Sequence, residues 1–207
     1  MRFKKIEIFL MCYLLLIVSL SCNSSDKSET EHFEAKDTLV ELDTLLFQLR
    51  KIDTADCANM DEIVTVNETM RGIVENIRTI EEFDDLVNAF ENGSYQISFV
   101  FSEDEKLGLF SWPTKMDCLG NNIKNIALFK YNGKVKASSL YGNPMMFQNI
   151  KSKKQNKDKT LYIFEGSSST DNNLNDLTQK GYKITNGYLA ESQIPETEQA
   201  YVNNTSL

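Results

Sequence analysis

A chain of 207 residues, 41% of them apolar and 25% charged, is long enough for one domain with a real core and at most a small second unit. Its 22 basic and 30 acidic residues give a formal net charge of −8. An acidic body repels phosphate backbones and anionic headgroups, which argues against a nucleic-acid partner and against electrostatic docking on a membrane.

The N-terminus reads as an address. Arg2, Lys4 and Lys5 make a basic start, residues 8–20 an apolar run, and Ser19-Leu20-Ser21-Cys22 a boundary with polar sequence behind it. A spanning helix needs roughly 20 apolar residues to cross about 30 Å of hydrocarbon, so this shorter run is expected to be a cleaved export signal, residues 1–21. Small Ser21 suits a peptidase that cuts after small residues, and a cysteine at the cut is what lipoprotein processing requires. The segment resembles the lipobox of bacterial lipoproteins in the looser form found in Bacteroidota, with Ser19 where leucine is usual and Leu20 one place late. Cys22 is therefore the expected lipidation site, and the membrane partner is reached through acyl chains, worth roughly 0.8 kcal/mol per buried methylene. Removing Arg2, Lys4, Lys5 and Glu7 with the signal leaves 19 basic and 29 acidic residues, a net charge of −10. The expected location is the cell envelope, at the outer membrane of a Gram-negative bacterium, with the leaflet left open.

Residues 22–35 are polar and form a flexible tether that holds the only histidine, His32. From there to residue 92 the pattern is helical. Leu39, Leu42, Leu46 and Leu49 predict an amphipathic helix over 38–52; Ile63, Val66, Met70, Val74 and Ile77 predict another over 60–77. A third is predicted at 80–91, opened by the capping-box pair Thr79 and Glu82 and stopped by Asn92-Gly93. After Gly93 the period becomes two. Strands are predicted at 95–101, 107–112, 126–131, 135–139, 145–150 and 160–165, with a hairpin over 182–190, and Asn132-Gly133 and Asn186-Gly187 are hairpin turns. Residues 192–207 read as a loose tail.

Helices first and strands afterwards predict an α+β fold in which the helices of 36–92 pack on one face of an antiparallel β-meander sheet spanning 93–191; a closed β-barrel with helices outside is the alternative. Leu107-Gly108-Leu109-Phe110-Ser111-Trp112, a loop with Gly120, the strand ending in Phe129 and Tyr131, then Leu161 to Gly166 and Tyr182-Lys183-Ile184, resemble a group of uncharacterised Bacteroidota lipoproteins over about half the chain. The resemblance implies location and fold style and carries over no catalytic residue.

Chemistry is harder to find. A histidine-dependent triad has only His32 to draw on, and zinc-ligand spacings do not occur, so no catalytic residue, metal or cofactor is expected. Asp171, Asn173, Asn175 and Asp176 offer oxygen ligands but fail the calcium-loop pattern at its glycine and terminal glutamate. Glu103, Asp104 and Glu105 read as a wet turn, and Gly166 to Thr170 lacks the second glycine and lysine of a phosphate loop. Cys57 and Cys118, outside the cytoplasm, are either a disulfide or two buried thiols. Lys151, Lys153, Lys154, Lys157 and Lys159 form the one basic run, a possible anionic-ligand patch or a solvated loop. Trp112, Phe110, Tyr131, Tyr141 and Tyr188 are either a sugar or peptide platform or core. Asp-Thr pairs at Thr38, Thr44 and Thr54 resemble Bacteroidota O-glycosylation acceptors, although Asp-Thr also suits helix starts. The leading functional expectation is a non-enzymatic, lipid-anchored binding module with a protein or glycan partner; the alternative is an envelope glycan hydrolase working through two carboxylates.

Overall fold

The computed structural model describes residues 33–141, 145–156, 159–168 and 178–196, all within one compact unit. Three α-helices come first: α1 (Ala35–Lys51), α2 (Met60–Glu75) and α3 (Ile80–Glu91). Each turns the stripe read from its sequence inward. Leu39, Leu42, Leu46 and Leu49 of α1 are buried, as are Ile63, Val66, Met70 and Val74 of α2. Helix α3 carries the expected capping box: Glu82 N–H donates to Thr79 Oγ1 at 3.1 Å, and Thr79 N–H donates to Glu82 Oε2 at 2.9 Å.

The strands form two sheets. The first holds β1 (Ser98–Phe101), β2 (Leu107–Met116), β3 (Asn121–Tyr131) and β4 (Lys134–Ser139); the second holds β5 (Met145–Asn156), β6 (Lys159–Ser168), β7 (Thr178–Thr185) and β8 (Tyr188–Ser192). Both are antiparallel meanders in sequential order, so the α+β meander expectation holds and the closed barrel does not. The expected single sheet is two because β2 and β3 are apolar on both faces. Phe110, Trp112, Ile126 and Leu128 pack under the helices, while Leu107, Leu109, Ala127 and Phe129 point the other way, against Met145, Phe147, Ile150, Tyr162 and Phe164. A layer of helices, a central sheet and an outer sheet result. A sheet apolar on both sides needs cover on both sides, and the second meander supplies it.

Specific polar groups lock the layers. Asn67, within the apolar stripe of α2, accepts from Trp112 Nε1 at 2.9 Å and donates to the carbonyls of Ile63 and Thr114 at 2.8 and 2.9 Å. Asp43 of α1 accepts from the backbone N–H of Gln96 and, at 2.7 Å, of Ile97, which fixes the approach to β1. Between the sheets, Ser111 Oγ donates to Asn125 Oδ1 at 2.6 Å and Asn125 Nδ2 donates to the Met145 carbonyl at 3.0 Å. Gly108 leaves space for the aromatic cluster under the helices, since a Cβ there would lie 2.7 Å from the Phe99 ring.

Candidate functional site

The two Asn-Gly turns lie beside a recess lined by two cationic side chains. At both, asparagine and glycine have positive φ (Asn132 50°, Gly133 74°; Asn186 53°, Gly187 77°), the two-residue geometry that matches strand twist. The β7–β8 turn comes up against the central sheet at its β4 edge. Gly187 is required there twice over: its φ is left-handed, and a Cβ would stand 2.6 Å from Lys136 Nζ and 2.8 Å from Tyr131 Cε1. On the other side of β4, the Val135 N–H donates to the Arg78 carbonyl at 2.8 Å, which seats the α2–α3 connection beside the strand.

A groove of about 290 Å³ lies among these elements, lined by Arg78, Phe129, Lys136, Ser138, Gly187 and Tyr188 together with Ala137. Phe129 is buried and Tyr188 is 72% exposed, so one aromatic is core and the other is presented to solvent. The Lys136 ammonium lies 5.2 Å from the Tyr131 ring centroid and 5.7 Å from that of Tyr188, and donates to the Gly187 carbonyl at 3.3 Å. Among the described residues, no carboxylate pairs with Lys136 or Arg78. Arg78 and Lys136 thus bring two cationic side chains without a described ion-pair partner to the lining of one groove, with the Glu82 carboxylate nearby, accepting from the Arg78 backbone N–H at 2.7 Å. A second recess, about 330 Å³, lies beside Gln48, Lys51, Asp53, Asn59 and Glu62; its charges are mixed, and its Lys51 rests 4.0 Å over the Phe47 ring.

The basic run does not gather as a loop. Lys151, Lys153 and Lys154 lie on β5 and Lys159 begins β6, while Lys157 is outside the described residues. Strand alternation separates Lys154 from Lys151 and Lys153, and Lys151 donates to Glu165 Oε1 at 2.7 Å. Glu165 is the one carboxylate among the buried polar residues of the described chain. Burial opposes its charge, but donation from Lys151, Gln179 (2.7 Å) and Asn149 (3.0 Å) outweighs burial and holds the carboxyl below its usual range. A general acid needs the opposite shift. On the turn, Asp104 accepts from Ser102 Oγ at 2.7 Å and from the Tyr162 hydroxyl at 3.3 Å; burial, then the Asp104 charge, pushes the Tyr162 phenol well up, so it stays protonated as the donor.

Cys57 and Cys118 are bonded to each other, with Cα atoms 6.0 Å apart, and both residues are exposed, so the buried-thiol alternative does not describe them. Trp112 and Phe110 are fully buried, Tyr131 is half-buried, and Tyr141 and Tyr188 are exposed, so only part of the aromatic set is available to a ligand. Thr38 and Thr44 lie within α1, their hydroxyls donating to the carbonyls of Glu34 and Val40 at 3.0 and 2.8 Å; Thr54 precedes the short 3-10 turn Ala55–Cys57. Cys22, the export segment, His32 and residues 171–176 lie outside the described residues. Among the described residues there is no cluster of three His, Cys, Asp or Glu side chains able to hold a metal, and no helix long and apolar enough to cross a membrane.

Arg78 and Lys136 went unmarked in the sequence reading, and Gly187 was marked only as part of a hairpin turn. Tyr131 and Tyr188 were marked, and their place immediately beside the two Asn-Gly turns is the signal that could have led to the groove. No family model, no curated protein and no solved structure matches this chain.

Proposed function

We propose that this protein is a non-enzymatic binding module of the bacterial cell envelope, of the Bacteroidota lipoprotein kind, held at the outer membrane by lipid on Cys22 and binding an anionic ligand in the groove of Arg78 and Lys136. The observation that carries the binding half is the pairing of two cations without a described carboxylate partner beside an exposed tyrosine face. The lipobox-like Ser19-Leu20-Ser21-Cys22 carries the anchoring half. Support against the hydrolase alternative comes from Glu165, whose carboxyl faces amide and ammonium donors and is shifted toward the charged form.

Titration of the full chain in detergent with acetate, followed by ligand-observed NMR, tests the groove. Binding should weaken with added salt, because charge in an open groove is screened within about 8 Å at physiological ionic strength. Arg78→Gln combined with Lys136→Gln should abolish it. Acetate binding that survives the double variant contradicts the assignment of the groove.

A further inference from the structure

Resting on that reading of the groove, we infer that its ligand is a carboxylate-bearing sugar ring of the hexuronate class. The anion site alone would take any small oxyanion. Three features around it ask for more. The first is the Tyr188 ring, 72% exposed among the lining residues of the groove, with the Lys136 ammonium 5.7 Å from its centroid. An exposed aromatic face beside a cation fits the apolar C–H face of a pyranose, which stacks on tyrosine while an attached carboxylate reaches the positive charge. The second is the set of neutral polar groups: the Ser138 hydroxyl, which both donates and accepts, and the Gly187 carbonyl, already the acceptor for Lys136. Such groups match sugar hydroxyls and add little for a bare phosphate. The third is size. About 290 Å³ lies at the lower edge of the range for small-molecule pockets, room for a single ring or a chain end and not for an oligosaccharide lying along its length.

The division of labour follows. Arg78 presents a planar fork able to take both oxygens of one carboxylate, and Lys136 a point charge that Tyr131, Tyr188 and Gly187 O hold in place. Phe129, buried in the core, also lines the groove. Gly187 sets the width, since any side chain there would meet Lys136 and Tyr131.

The experiment compares glucuronate, glucose, acetate and inorganic phosphate on the full chain in detergent, for the wild type and for Tyr188→Ala, Arg78→Gln and Lys136→Gln. For a ligand of this size in an open groove, a glucuronate dissociation constant on the order of 1 mM is expected, with acetate and glucose each about tenfold weaker. Arg78→Gln and Lys136→Gln should each weaken glucuronate about tenfold, the loss of one charge-assisted contact. Tyr188→Ala should weaken glucuronate by a larger factor than acetate, because it removes the stacking face from the sugar and only one of the three groups that hold Lys136. Equal affinity for acetate and glucuronate, or indifference of glucuronate to Tyr188→Ala, overturns the sugar assignment while leaving the anion site standing. Phosphate binding tighter than glucuronate overturns the carboxylate class. Absence of binding by every anion at about 20 mM, some twenty times the expected constant, overturns the groove reading itself.

Discussion

Asn67 offers a sharp test of the packing between the helices and the central sheet. It is 4% exposed, and its Oδ1 is the acceptor for the indole N–H of Trp112, which is fully buried. Asn67→Leu keeps the branching at Cγ and removes every polar atom. The indole N–H then stays buried without its acceptor, at a cost of about 1–3 kcal/mol, and the Thr114 carbonyl loses the donor now 2.9 Å away. A total of about 3 kcal/mol lowers the melting temperature by about 6–12 °C for a domain of this size. Trp112→Phe alone removes the donor and part of a buried ring, at about 2–3 kcal/mol. In the double variant neither the indole N–H nor the Asn67 Oδ1 is left without its partner, while the loss at the Thr114 carbonyl is the same as in Asn67→Leu, so the combined loss should fall short of the sum by about 1–2 kcal/mol. Urea unfolding of the four proteins, monitored by far-ultraviolet circular dichroism, measures the cycle. Additivity within about 0.5 kcal/mol would refute the claim that the Asn67–Trp112 bond joins the layers.

Other consequences are equally concrete. Replacing both Cys57 and Cys118 with serine opens a crosslink between residues 61 apart, worth about 4 kcal/mol from loop entropy, and should lower the melting temperature by about 8–16 °C; a wild type whose melting is unmoved by reductant would contradict it. Thr79→Ala removes the acceptor for the Glu82 N–H and should cost about 1 kcal/mol in chemical denaturation, whereas Thr79→Ser should cost a small part of that. Glu165 is held below its usual range, so its contribution is complete above the unfolded glutamate value of about 4.3 and is lost as pH falls through the folded one. Glu165→Gln should therefore melt below the wild type at pH 7, with the gap closing under acid conditions; a gap of the same size at pH 3 would show that the charge is not the source.

The helices were legible because their signal is local. Leucine spacing in α1, the apolar stripe of α2 and the capping box of α3 each need only neighbours in sequence, and the observed bounds fall within a few residues of the predicted ones. The Asn-Gly turns were legible for the same reason. Division into two sheets was not, because it depends on which partner covers each face. The run Leu107 to Trp112 alternates between two apolar sides, and a continuous apolar run in sequence does not say that the second side meets another sheet. Lysines at 151, 153 and 154 hid the second half of β5, since a strand at the outside of a fold tolerates charge and the pattern of a loop is similar. The groove was half legible. Tyr131 and Tyr188 stood out as aromatic, but Arg78 joins them only through the backbone bond to Val135, from a stretch that reads as a helix connection.

Attachment at Cys22 is the claim that places all of this in the envelope, and it is tested by lipid labelling and membrane fractionation of wild type and Cys22→Ala made in the native host. The account expects palmitate incorporation and firm membrane retention for the wild type, and loss of both, with a soluble folded domain, for the variant. A Cys22→Ala protein that stays in the membrane fraction, or a wild type without lipid, would contradict it.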